Sequence, residues 1–268
     1  MILDIISFSC PLILASMGAL FSEYTGSLAL FLEGLIGFSA FLGFGFTVST
    51  GSLSTGILLT IITTILITGI FSLLIEKTKA NKFIASLGMN LIFSASVSLF
   101  SSLFFKTRGV LTSDKFIFNT TTVEIFSITT TFILVIAAVI FLIFTQKGIY
   151  IRITGSDSDI LTVKGINPSL YRTAAWCITA FFTAFSGIIL SLRVSAFVPG
   201  ISGGKGWMAL AAVFLGKKKW WQIIIFVIIF CGIDFISAGI QNYISAIPSS
   251  VILALPYIVI LLLISIKK

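Results

Sequence analysis

No histidine occurs in this sequence, and acids are scarce, with nine Asp and Glu against seventeen Lys and Arg over 268 residues. The first absence removes histidine acid–base catalysis and imidazole metal sites from consideration. Cysteine is nearly absent too. Cys10, Cys177 and Cys231 stand singly in apolar runs without CxxC spacing, the pattern of small buried residues and not of redox or metal chemistry. Charged residues make up 10% of the chain, against about 25% in soluble domains, so an ordinary soluble fold is excluded. In their place stand 57% hydrophobic residues and a mean hydropathy of +1.17. The net charge of +8 describes no nucleic-acid-binding face. The basic residues fall in small clusters between apolar runs, where topology determinants lie.

A helix needs about 20 apolar residues to cross the hydrocarbon core. Runs near 2–21, 34–50, 52–75, 83–105, 124–146, 173–193, 205–216, 220–239 and 249–266 predict about nine crossings. The chain reads as an all-α polytopic membrane protein with one membrane domain over 1–268. Residues 1–20 lack a basic leader and read as a span, not a cleaved signal peptide. With 147–172 inside, alternation leaves Lys77, Lys79, Lys82, Lys147, Arg152, Lys164, Arg172, Lys217–Lys219, Lys267 and Lys268 inside as well. Only Lys106, Arg108, Lys115, Arg193 and Lys205 fall outside, as the positive-inside rule asks, and the N-terminus is then outside.

One polar stretch interrupts these runs. Within 147–172, Ser156 or Asp157 can cap a helix start, Asp157 and Asp159 suit its positive end, and Lys164 suits its negative end. Gly165 supplies a left-handed stop, and Asn167-Pro168 restarts a helix with Asn as N-cap. Ile160, Leu161 and Val163 are apolar at what should be a wet surface. A short capped helix there suits docking onto a soluble partner.

Two spans are short. Residues 205–216 rise only about 18 Å as a helix, and Lys217–Lys219 must reach the inner surface, so Gly203-Gly204-Lys205-Gly206 should start a half-helix near mid-membrane. A half-helix start there would aim free N–H groups into the protein, a common way to build a solute site, which makes Gly204 and Gly206 pathway candidates. The span 34–50 is short as well. A first half (2–105), a linking span (124–146), the cytosolic segment (147–172) and a second half (173–266) suggest two inverted-topology halves with short broken helices. GGKG at 203–206 lacks the GxxxxGK[ST] spacing of a phosphate loop, so ATP binding by this chain is not expected.

The remaining polar residues have two readings each. Asp234, 14 residues into its span, should face the protein interior or a wet cavity; a structural ion pair with Arg193 competes with a solute contact. Asn90 can bond across helices or line a pathway. Glu33, like Glu23, is either an interface charge on the cytosolic side or functional. A proton-coupled secondary transporter would use Asp234 or a Glu as its proton site, but leaves the capped cytosolic helix without a purpose. A scaffold without transport leaves the mid-membrane helix start without one.

Taken as a set, PLILASMGALFSEYTGSLALFLEGLIGFSAFLGF (11–44), NKFIASLGMNLI (81–92), RITGSDSDILTVKGINPSLYR (152–172), GKGWMALAAVFLG (204–216), Asp234 and Pro256-Tyr257 resemble the shorter permease subunits of nucleoside-type ABC importers, within the ribose and branched-chain amino-acid permease superfamily. The matching positions include Asn90 and, in the coupling segment, Gly155, Gly165, Ile166 and Asn167. Ala29 and Phe31 depart from that family's Asn and Gly before the Glu-Gly pair, which bears on substrate and not on class. The resemblance implies a non-catalytic transport subunit of the cytoplasmic (inner) membrane without a cofactor. Its implied partners are a cytosolic ABC ATPase, a second and longer permease subunit, and an extracytoplasmic solute-binding lipoprotein. It implies nucleosides as solute, with ribose-like sugars or riboflavin as alternatives.

Overall fold

A computed structural model describes residues 2–241, 257–259 and 261. Among them every regular element is helical, apart from a single antiparallel bridge between Leu111 and Phe197. The helices are α1 (Ile2–Tyr24), α2 (Leu32–Thr50), α3 (Leu53–Thr78), α4 (Lys82–Phe105), α5 (Thr120–Phe144), α6 (Gln146–Ser156), α7 (Ser158–Val163), α8 (Pro168–Val194), α9 (Lys205–Leu215) and α10 (Trp220–Gln241). A 3-10 turn covers Asp114–Phe116. Seven of these helices are long and apolar enough to cross a membrane, and α9 is the short one. The expected crossing at 249–266 lies outside the described residues except for 257–259 and 261.

Short polar signals start the helices. Asn81, Asn119 and Asn167 each accept a backbone N–H with the side-chain oxygen, at 3.0–3.1 Å, to open α4, α5 and α8. Between caps, helical periodicity sorts residues by neighbour. Along α3, Thr60, Thr64, Thr68 and Ser72 recur every fourth residue on the buried face, while Leu58, Ile62, Leu66 and Ile70 point outward. Thr60 and Thr64 satisfy their hydroxyls on the carbonyls four residues back, both at 2.8 Å. The buried stripe is narrow, its Thr68 hydroxyl has no hydrogen-bond partner among the described residues, and α3 packs closely on α2 and α8.

The core is an antiparallel α1–α8 pair flanked by α2 and α9. Thr179 and Ser186 of α8 donate across the pair to the carbonyls of Gly18 and Pro11, both at 2.8 Å. At Gly187 a Cβ would meet the α2 backbone at Ile36 and Ala40, so that crossing requires glycine. Helix α1 packs on α8, α9 and α10, and α8 packs on α1, α2 and α3. Exchanging α1 with α8, α2 with α9 and α3 with α10 reproduces the same pattern, which is the packing two inverted halves produce.

Candidate functional site

The site grows from the chain between α1 and α2. Helix α1 ends in a tight turn: Ser22 O accepts from Thr25 N at 3.1 Å and from Ser27 N at 3.2 Å, and Gly26 takes φ +69°. The chain then re-enters the protein interior. Ser27 O accepts the indole N–H of Trp176 at 2.9 Å, and Phe31 packs edge-on against the same ring at 5.1 Å. Helix α2 starts with no side-chain cap of its own. Two α4 side chains replace it, with Phe31 N donating to Ser86 Oγ at 3.3 Å and Gly34 N to Asn90 Oδ1 at 2.6 Å. A Cβ at Gly34 would collide with Asn90, so this end-on seat needs glycine.

Helix α9 starts the same way and is capped from α2. Both carboxylate oxygens of Glu33 are used: Oε1 accepts from Gly204 N at 2.8 Å and Oε2 from Gly206 N at 2.7 Å. These are the orphan donors at the positive end of a helix dipole, where a carboxylate is most favourable. Gly204 has φ +79° and a Cβ at Gly206 would strike the Glu33 backbone, so both glycines are required by geometry. Tyr257 Oη donates to Gly203 O at 2.8 Å and covers the turn.

Depth follows from the other end of α9. Eleven residues rise about 16 Å, and the following turn is tied to the inner end of α1. Lys218 Nζ pairs with Glu23 Oε1 at 3.0 Å, and Tyr24 Oη donates to Lys218 O at 2.6 Å. The starts of α2 and α9 therefore meet at mid-membrane. Glu33 is placed there and not among the charges of the inner surface.

At that surface, α6 is a helix the sequence reading did not anticipate, capped by Thr145 Oγ1 accepting from Gly148 N at 3.0 Å. Its Gly155 lies on the backbone of Tyr24–Gly26, with no room for a Cβ. Asp157 is the N-cap of α7, accepting from Asp159 N at 3.0 Å. Gly165 takes φ +73° as expected, and Ile166 N closes the turn on Leu161 O at 2.9 Å. The three apolar residues expected at a wet surface divide. Val163 is 88% and Ile160 46% exposed, whereas Leu161 is fully buried and anchors α7 to its own chain.

The structure thus brings Glu33, Asn90, Gly204 and Gly206 into one cluster and groups Gly155 to Asn167 at the inner face. Asp234, partly buried on α10, makes no hydrogen bond to that cluster among the described residues but lies within electrostatic reach of Tyr257, which covers the α9 turn. Arg193 is not its partner: its guanidinium donates to Ser7 Oγ at 3.1 Å and lies 5.3 Å from the centre of the Phe8 ring. Among the described residues Asp234 forms no ion pair. Trp176 and Ser86 were missed. Trp176 is the fourth residue of the expected 173–193 span, where an interfacial tryptophan is ordinary, so nothing in the sequence marks it as a site residue.

Residues 1–265 match the family described as the permease component of branched-chain amino acid transport systems. A putative glucose ABC transporter permease protein of Haloferax volcanii is 27% identical over 222 residues, covering 78% of this chain and 68% of that protein. Among solved structures, PsaBC from Streptococcus pneumoniae in complex with Fab aligns over 97% of this chain and 88% of that one, with a TM-score of 0.53. At 13% identity, that last likeness shows the fold alone.

Proposed function

The chain belongs to the permease-component family of branched-chain amino acid transport systems, and from that premise we propose that it carries nucleosides inward as one half of a heterodimeric ABC permease. It is a multi-pass subunit of the inner membrane that changes no bond in its solute. A cytosolic ATPase drives it, a longer permease subunit completes the pathway, and a lipoprotein outside delivers the solute. The observation that carries the import reading is α7: a capped two-turn helix on the basic side, with Ile160 and Val163 turned to water and Leu161 rooting it. Exposed apolar side chains on a rigid, rooted helix favour a protein partner that covers them. Gly155, Asp157, Gly165, Ile166 and Asn167 shape and hold that surface.

The charge pattern supports an uncharged solute. The half-helix end that would attract an anion is already filled by Glu33. A planar base with a hydroxylated sugar suits a protein rich in phenylalanine and hydroxyl side chains. The name of the Haloferax relative favours a second reading, a sugar. Vesicles bearing the assembled importer decide between them: ATP-dependent accumulation of labelled adenosine or guanosine, uncompeted by glucose or ribose, is expected. Accumulation of a sugar or riboflavin without competition by nucleosides would replace the substrate assignment. Uptake driven by a proton gradient without ATP would overturn the importer reading itself.

A further inference from the structure

We infer that Glu33 is a positioning residue that makes the two mid-membrane helix starts move as one body, with residues 23–34 linking them to the cytosolic face. The inference rests on the importer reading for its consequence in transport, but the latch itself stands on geometry. Four helices converge on this one stretch of chain, α9 through both of its ends. Gly155 of α6 lies against Tyr24–Gly26. Trp176 of α8 holds Ser27 O, and Asn90 of α4 holds Gly34 N. The turn after α9 is held by Glu23 and Tyr24, and the start of α9 by Glu33. Helix α9 is thus gripped at both ends by residues ten apart in sequence on the α1–α2 connection.

Such a connection cannot shift at Gly155 without shifting Glu33. Nor can Glu33 shift without drawing on the N–H groups of Gly204 and Gly206, which it holds with both oxygens. A carboxylate suits this better than an amide, because both oxygens accept and its charge faces the positive helix end. Glutamine offers one acceptor oxygen and brings an NH₂ against an N–H, so one of the two bonds is lost. Aspartate keeps the charge but is a methylene too short to span from α2 to both amides.

The test uses the complete importer in vesicles with Glu33→Gln and Glu33→Asp. A latch predicts assembled protein, basal ATP hydrolysis and KM for solute close to wild type, with kcat for uptake lowered about tenfold in Glu33→Gln, the loss of roughly one charge-assisted hydrogen bond. More ATP is then spent per solute moved, and Glu33→Asp falls between. Parallel loss of uptake and hydrolysis in proportion to assembled protein would make Glu33 merely structural and overturn the inference. If Glu33→Gln does not assemble, the same ratio is read in Glu33→Asp. A second measurement needs no transport. A Cβ at Gly37 would lie 3.9 Å from Ser202 Oγ, so a Gly37→Cys/Ser202→Cys pair in an otherwise cysteine-free chain reports the approach of α2 to the α9 turn. Oxidative cross-linking should be fast with Glu33 and about tenfold slower with Glu33→Gln, by the same bond equivalence; equal rates would refute the latch. Absence of ATP-driven uptake in the wild-type importer would instead fault the importer reading, while the cross-linking still decides the latch.

Discussion

Adding one methyl group at Gly155 should uncouple ATP hydrolysis from transport. A Cβ there would fall on Tyr24 O, 2.7 Å from Gly26 N and 2.9 Å from the Thr25 carbonyl carbon. All three are backbone atoms of a hydrogen-bonded turn, so none can rotate away as a side-chain tip would. Ordinary contact begins near 3.4 Å, so α6 must back off from Tyr24 O by slightly more than about an ångström, at a cost of about 1–3 kcal/mol. That strain lies at the inner surface, outside the spans, and leaves the α1–α8 core intact. Two glycines provide matched controls. Gly165 (φ +73°) and Gly51 (φ +71°) both stand in open space, so alanine at either meets only the left-handed backbone penalty, about 1–2 kcal/mol. They lie on opposite sides of the membrane. In vesicles, Gly155→Ala and Gly165→Ala should keep basal hydrolysis while uptake per ATP drops several-fold, about what 1 kcal/mol allows; Gly51→Ala should transport normally. Wild-type coupling in Gly155→Ala, or an equal defect in Gly51→Ala, would refute the contact as a transmission point.

Three further outcomes are expected. Trp176→Phe keeps the ring contact with Phe31 but orphans Ser27 O, and the thermal midpoint of the purified importer should fall by the equivalent of about 1–3 kcal/mol. Gly187→Ala drives a methyl into the α2 backbone and should destabilise by about 1–3 kcal/mol, whereas Gly88→Ala in α4 meets nothing within 4 Å and should be neutral or better by up to about 1 kcal/mol; equal loss at both would contradict the packing. Single cysteines at the exposed Lys115 and Val163 should react with a membrane-impermeant reagent from outside only and from inside only, respectively, and the reverse pattern would invert the topology.

Local grammar was readable from the chain because its partners are close in sequence. Gly165 as a left-handed stop, Asp157 as the start of α7, and Asn167-Pro168 as the start of α8 each involve hydrogen bonds spanning two to five residues. The depth of α9 was readable from its length. The depth of Glu33 was not readable in that way, because the 19-residue α2 is long enough to cross by itself; only its pairing with the start of α9 gives it. Long-range pairing was opaque. Arg193 and Asp234 looked complementary by sign, yet Arg193 is taken up by Ser7 and Phe8, a choice set by how α1 crosses α8. Leu161 illustrates a different gap: even a six-residue helix has an inner face, and nothing in its sequence says which apolar residue turns in.

The Glu33 cap also has a consequence for how the protein is made. Its acceptor oxygens and the amides they hold are 171 and 173 residues apart, which at about 5–20 residues per second leaves roughly ten to thirty seconds of synthesis between them. During that interval the nascent first half carries a carboxylate at membrane depth with no helix end to receive it, a burden of about 2.5–3.5 kcal/mol on insertion scales. The early chain must therefore keep residues 25–34 near water or near the insertion machinery until α9 emerges. Arrest of translation before Gly204 should leave a fragment that is far more open to quality-control proteolysis than its hydropathy alone implies.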